Sequence, residues 1–292
     1  MNHRVTGRSW IPRVLIIAHL VALVFGLVGL LIMLPHPDLW SSDPHAVRVF
    51  DFSMRYAGST HILFGAAAMF TYGLVALGWR KTVIFAACAY SISICAELIG
   101  TGTGWPFGNY SYTDFLGYKV LGRVPFTIPM SWFYMGFASY LLGTVLAARR
   151  GVKRQTLWSL ALGVWLLTAW DLVLDPAMAH PSLRVQFWVW HESGPYFGMP
   201  IRNLVGWSLT GLLFMVASRW LWRSQADGRT LPATIPLIVY TANLGFAMVL
   251  SAGVGLWVPI LLSALLGLVP AVIAANRRLP AHRWTLAWAK DG

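Results

Sequence analysis

ELIGTGTGWPFGNYSYTDFLGYKVLGRVPFTIPMSW, from Glu97 to Trp132, is the stretch whose reading decides the fold. It opens with a carboxylate at the end of an apolar run. It passes through Gly100, Gly102, Gly104 and Gly108 and the rings of Trp105, Phe107, Tyr110 and Tyr112, then returns to apolar sequence through Pro125 and Pro129. Isolated Gly or Pro is ordinary in a membrane helix. A Gly-dense aromatic loop hinged on an acid is not, because irregular backbone and ionisable groups at membrane depth persist only where protein or water lines a cavity. The expectation is a loop that closes the outer mouth of such a cavity.

On either side of this loop the chain is built for lipid. Of its 292 residues 57% are hydrophobic and 11% charged, against about 25% charged in soluble domains. Spans of roughly 20 mainly apolar residues fall at about 14–34, 57–79, 82–100, 126–148, 156–178, 200–222, 232–250 and 253–274. The expected architecture is therefore all-α, a polytopic bundle of eight helices forming one integral membrane domain over 1–292. Only Ser251, Ala252 and Gly253 separate the last two spans, so seven helices with one long broken segment is the competing count. Arg4, Arg8 and Arg13 precede a first run too long for a signal h-region and without a cleavage site after it, which reads as a retained helix. Cys88 and Cys95 share one apolar run and read as buried thiols, with no disulfide framework or metal pattern.

Charge placement orients the bundle. With the N-terminus inside, sixteen of the 22 basic residues lie on inner segments: Arg4, Arg8, Arg13, Arg80, Lys81, Arg149, Arg150, Lys153, Arg154, Arg219, Arg223, Arg229, Arg277, Arg278, Arg283 and Lys290. Arg48, Arg55, Lys119, Arg123, Arg184 and Arg202 lie outside. Cytoplasmic loops are enriched in Lys and Arg, so both termini are expected in the cytoplasm. The net charge of +12 is then a topology signal whose partner is the anionic lipid bilayer, and not a nucleic acid. Of the acids, only Asp227 and Asp291 are inside; the polar chemistry gathers on the outer side. A weak internal echo pairs Glu97 before Gly104–Gly108 (GWPFG) with Asp175 before Gly194–Gly198 (GPYFG), a pattern also expected of parallel structural repeats.

Asp171 and Asp175 in LTAWDLVLDPAMA are the sharpest chemical signal. They sit at i and i+4 on one helix face, beside Thr168 and before Pro176. An acid in a spanning helix costs roughly 2.5–3.5 kcal/mol on insertion scales and marks function by default. Two on one face favour a shared proton. The structural alternative has Asp175 capping the loop and Asp171 paired with Arg184 or Arg202. Glu97 is the third candidate acid, its alternative being a loop anchor for the glycine amides after it. Trp105, Phe107, Tyr110, Tyr112, Trp132, Trp170 and Trp207 gather on the outer side. Many such rings form an interfacial belt, but Trp132 and Trp170 lie within helices, and a ring face stabilises a nearby cation by roughly 0.5–2 kcal/mol. Asn203 and Trp207 are i, i+4, with Thr210 continuing their face, and a buried Asn must be hydrogen-bonded. His61 is the histidine to watch, although a satisfied core histidine is the plainer reading. The eight histidines form no i, i+3 or i, i+4 pair, so no metal box can be assembled. There is no Rossmann fingerprint, P-loop or nucleophile elbow either. Acids, an amide, rings and water in an apolar cavity remain, with no metal and no cofactor called for.

These residues resemble a known family, the membrane carotenoid-biosynthesis proteins that include the CruF-type carotenoid 1,2-hydratases and the bisanhydrobacterioruberin hydratases. The resemblance is carried by Glu97-x-x-Gly100 through Pro106-Phe107-Gly108-x-Tyr110-x-Tyr112, and by Gly122-x-Val124-Pro125-x-x-Ile128-Pro129-x-x-Trp132. It continues in Trp170-Asp171-x-x-x-Asp175-Pro176-x-Met178 and in Gly194-x-Tyr196-x-Gly198-x-Pro200-x-x-Asn203-x-x-Gly206-Trp207. It covers about residues 90–210. It implies a multi-pass enzyme of a bacterial or archaeal cell membrane. The implied reaction adds water to the terminal double bond of an acyclic carotenoid end, as in lycopene or γ-carotene, to give a tertiary 1-hydroxy group. On chemical grounds Asp171 would give the proton and Asp175 or Glu97 would handle the water, with the two aspartate roles exchangeable. Trp132, Trp170 and Tyr110 would line the cation site, and Asn203 would hold the water or product hydroxyl. The competing class is a membrane transporter or carotenoid-binding protein with the acids as a proton relay. Another lyase or isomerase acting on an isoprenoid lipid is a third reading.

Overall fold

The computed structural model describes residues 10–149, 154–222 and 233–275. Its helices are α1 (Ile11–Val28, continued by a π-turn Gly29–Met33), α2 (Pro44–Ala76), α3 (Trp79–Thr103), α4 (Ile128–Arg149), α5 (Gln155–Met178), α6 (Ile201–Leu221) and α7 (Thr234–Gly253). The last run is α8 (Trp257–Ser263), which passes through a π-turn at Ala264–Leu268 into α9 (Val269–Ala275). Counting α8 and α9 as one, eight helical runs among the described residues are long and apolar enough to cross a membrane. The last two spans are separate: α7 ends at Gly253, and a turn through Gly255 at φ +78° leads into α8, which favours eight over seven. Arg4, Arg8, Arg150, Lys153, Arg223, Asp227, Arg229, Arg277, Arg278, Arg283, Lys290 and Asp291, with His3 and His282, lie outside the described residues.

The second helix starts thirteen residues earlier than its hydropathy indicates. Asp43 caps it by accepting from the His45 amide at 2.8 Å, and Pro44 supplies the preset first-turn φ. Arg48, Asp51 and Arg55 therefore ride on an exposed helical extension and not in a loop. The third helix runs on past Gly100 to Thr103, where Gly104 in the left-handed conformation returns its N–H to Gly100 O. Glu97 is thus a helical side chain, 3% exposed.

At the centre stands α4, buried over 89% of its span against 22% for the first span. It packs most closely on α5 and also touches α3, α2, α7, α9 and α6. The α4–α5 approach depends on glycine: a side chain at Gly143 would meet only backbone, 2.5 Å from Gly163 N and 2.9 Å from Ser159 O. Small residues permit such contact between membrane helices. The π-turn in the last span leaves Leu266 O free to accept from Trp165 Nε1 at 2.9 Å.

Among the described residues the all-α plan carries four short strands in the α3–α4 and α5–α6 connections: β1 (Tyr110–Tyr112), β2 (Lys119–Val120), β3 (Val124–Pro125) and β4 (Trp188–Trp190). Strands β2 and β3 form a small hairpin, while β1 pairs antiparallel with β4, joining the α3–α4 and α5–α6 connections across the bundle. The sequence echo is not matched by these strands: β1 follows Gly108, whereas β4 precedes Gly194.

Candidate active site

Beneath the β1–β4 ribbon lies a cavity with about 60 Å³ of free space, room for a few waters. Three helices bring acids and an amide to it. Glu97 comes from α3, Asp175 from the last turn of α5, and Asn203 from the first turn of α6.

Strand alternation explains how Glu97 is held. Residues i and i+2 share a face, so Tyr110 and Tyr112 both reach inward to Glu97 Oε2. Tyr110 donates in a very short hydrogen bond and Tyr112 at 2.9 Å. Trp132 Nε1 on α4 donates to Oε1 at 2.9 Å. Burial first, and then the neighbouring Glu97, pushes both phenols well above their ordinary range, so they remain O–H donors. The facing strand places Trp190 against Tyr110 and Trp188 against Tyr112, at 5.3 and 6.1 Å between ring centres.

The aspartates meet at Asn203. Its Nδ2 donates to Asp171 Oδ2 at 3.0 Å and, in a shorter contact, to Asp175 Oδ2. Asp171 is fully buried and is not on the cavity wall; Asp175 is. The i, i+4 spacing shares a face, but Asp171 lies one turn deeper than Asp175, so of the two exchangeable donors Asp175 is the one at the wall. Neither expected arginine pairs with Asp171. Arg202 binds Glu192 at 2.6 Å, and the Arg184 guanidinium donates to Leu34 O. Glu192, held below the ordinary carboxylate range by those Arg202 hydrogen bonds, also accepts the Asn109 amide at 3.0 Å and so ties the ribbon to α6.

The rings form a box. Trp132 stacks on Trp207 at 4.0 Å, and Trp170 meets Trp207 edge-on at 5.6 Å. Phe107 lies between two helices that have no side chain there. A Cβ at Gly100 of α3 would land 2.7 Å from its ring, and one at Gly206 of α6 closer still. That explains the glycines in the two motifs. Trp170 Nε1 and Trp190 Nε1 are buried cavity-lining donors without a partner among the described residues.

The structure gathers Glu97, Asp175, Phe107, Tyr110, Tyr112, Trp132, Trp170, Asn203, Trp207 and His61 around this cavity. Trp105 is not brought to this cavity: it follows the left-handed turn at Gly104 and is 60% exposed, away from the lining. A second polar group reaches the wall through Tyr134 and Asn243, and the pairing of Asn243 with His19 escaped the sequence reading. Tyr134 O–H donates to Asn243 Oδ1 at 2.8 Å, Asn243 Nδ2 meets His19 Nε2 at 2.9 Å, and His19 Nδ1 donates to His61 O at 2.7 Å. Single polar residues inside the apolar runs of α1 and α7 were the available signal. Among the described residues no three His, Cys, Asp or Glu side chains are grouped to hold a metal ion.

Comparison with known proteins places this architecture. The family model described as "Carotenoid biosynthesis protein" matches residues 57–270. The chain is 30% identical over 256 residues to the bisanhydrobacterioruberin hydratase of Haloarcula japonica, covering 85% of this chain and 80% of that protein. No solved structure matches. The matched region takes in α3 to α6 with every acid and ring of the cavity, and the chain belongs to the carotenoid biosynthesis protein family.

Proposed function

We propose that the protein is a carotenoid hydratase that adds water across the terminal C1–C2 double bond of an acyclic carotenoid end, such as that of lycopene or γ-carotene. The observation that carries this reading is the carboxyl of Asp175, joined to Asp171 through Asn203, on the wall of a cavity boxed by indole rings. The hydratase similarity supports the same chemistry.

Hydration of a trisubstituted alkene needs a proton at C2, a stabilised tertiary cation at C1 and one held water. Two adjoining buried carboxyls hold a proton between them more readily than two charges. Asp175 gives that proton to C2 and becomes a carboxylate. The faces of Trp132, Trp170 and Trp207 stabilise the cation. A carboxylate has about four acceptor sites; Glu97 uses three on its phenol and indole donors and offers the fourth to the attacking water. Oxygen bonds to C1, the water loses one proton to the acid cluster, and the cluster is restored. The unpartnered indole N–H groups of Trp170 and Trp190 suit the water or the tertiary hydroxyl.

The test is expression in cells that make lycopene and no other end-modifying enzyme, with pigments resolved by mass. Pigment heavier by one or two waters is expected. Unchanged pigment at normal protein levels would overturn the hydratase reading and favour binding or transport.

A further inference from the structure

A second hollow of about 330 Å³ adjoins the acid cavity. It is cut between α1 and α2, from Ala22 to Met33 on one wall and from Ala46 to His61 on the other. At 1.5 Å rise per residue those walls are roughly 16–22 Å long. The lining is hydrocarbon. Ser53 donates to Val49 O and Trp40 Nε1 to Met33 O, so these polar groups are spent on backbone. Phe25 lines the groove and is exposed on the outside of α1, a helix apolar enough to lie in lipid. At its deep end His61, Met178 and Phe246 belong to both hollows. His61 lies against Phe246 at 5.8 Å between ring centres, and the His19–Asn243–Tyr134 chain pins α1, α7 and α4 around this point.

We propose that the α1–α2 groove seats the polyene body of the substrate, entering sideways from the lipid, and that His61, Met178 and Phe246 form a throat limiting how far the end group reaches toward Asp175. The occupant is a long, rod-like apolar polyene, because the groove is elongated, apolar and continuous with the acid cavity. This rests on the hydratase reading for the reaction at the cavity but not for the binding.

Gly29 tests it. It lines the groove in helical conformation, φ −58°, and a side chain added there meets nothing within 4 Å. Purified protein in lipid nanodiscs is titrated with lycopene, following tryptophan quenching, and turnover is measured in parallel. Gly29→Phe is expected to weaken binding at least tenfold and raise KM with kcat at saturation retained. Gly245→Phe, whose added side chain also starts in open space on α7, is expected to bind as wild type. Ala57→Leu, on the opposite groove wall, serves if Gly29→Phe does not fold. Normal lycopene affinity in a folded groove variant overturns the proposal, including the case where the variant loses only co-purified phospholipid by mass. If wild type binds lycopene without hydrating it and Gly29→Phe abolishes that binding, the groove stands and the hydratase reading falls.

Discussion

Asp175→Asn is expected to lower hydration of lycopene by about 10²–10⁴-fold, the usual worth of a positioned general acid, while the protein folds and binds pigment normally. The amide keeps an oxygen for Asn203 Nδ2, so the local geometry survives and only the transferable proton is lost. Asp171→Asn is expected to lose less, because Asp171 lies behind the wall and acts through its neighbour. Product formation per folded protein, with lycopene binding as the control, decides the order. Full activity in Asp175→Asn would remove it from the mechanism. A silent Asp175→Asn with a dead Asp171→Asn would return the donor role to the deeper acid.

The largest effect on stability is expected at Gly143. The three atoms nearest to a Cβ there all belong to the backbone of α5, at 2.5 to 2.9 Å. No rotamer change relieves that contact, so the two most closely packed helices must separate. Gly143→Ala is expected to cost about 1–3 kcal/mol, the range for overpacking, and Gly143→Leu to leave no folded protein. Gly245→Ala, where nothing lies within 4 Å, is expected to be neutral or stabilising because Ala is the better helix former. Thermal melting in detergent reads all three. An unchanged melting temperature in Gly143→Ala would contradict the close α4–α5 approach.

Much of this was legible in the residues because membrane helices announce themselves by length and hydropathy. The start of α2 was not, since Arg48, Asp51 and Arg55 break the apolar run while Asp43 and Pro44 still nucleate a helix. Residues of the loop from Gly104 do line a cavity, but YSY and WVW gave no sign that they pair, because that contact spans 80 residues between Tyr110 and Trp190. Spacing placed Asp171 and Asp175 on one face and said nothing of depth. Asn203 was recognisable as a buried amide, and its bridging of both acids needed α5 and α6 side by side. His19 went unread because histidines were sought as neighbours in sequence, whereas its partners are Asn243 and the backbone of His61.

The antiparallel tie between Tyr110–Tyr112 and Trp188–Trp190 has a bearing on processivity. On the proposed hydratase reading, a chamber roofed in this way is a blind alley that would accept one terminus of a symmetric pigment at a time. To modify its other terminus the molecule must back out, turn round in the bilayer and come in again. A two-ended substrate would then be converted distributively, with the mono-alcohol building up ahead of the diol in a time course.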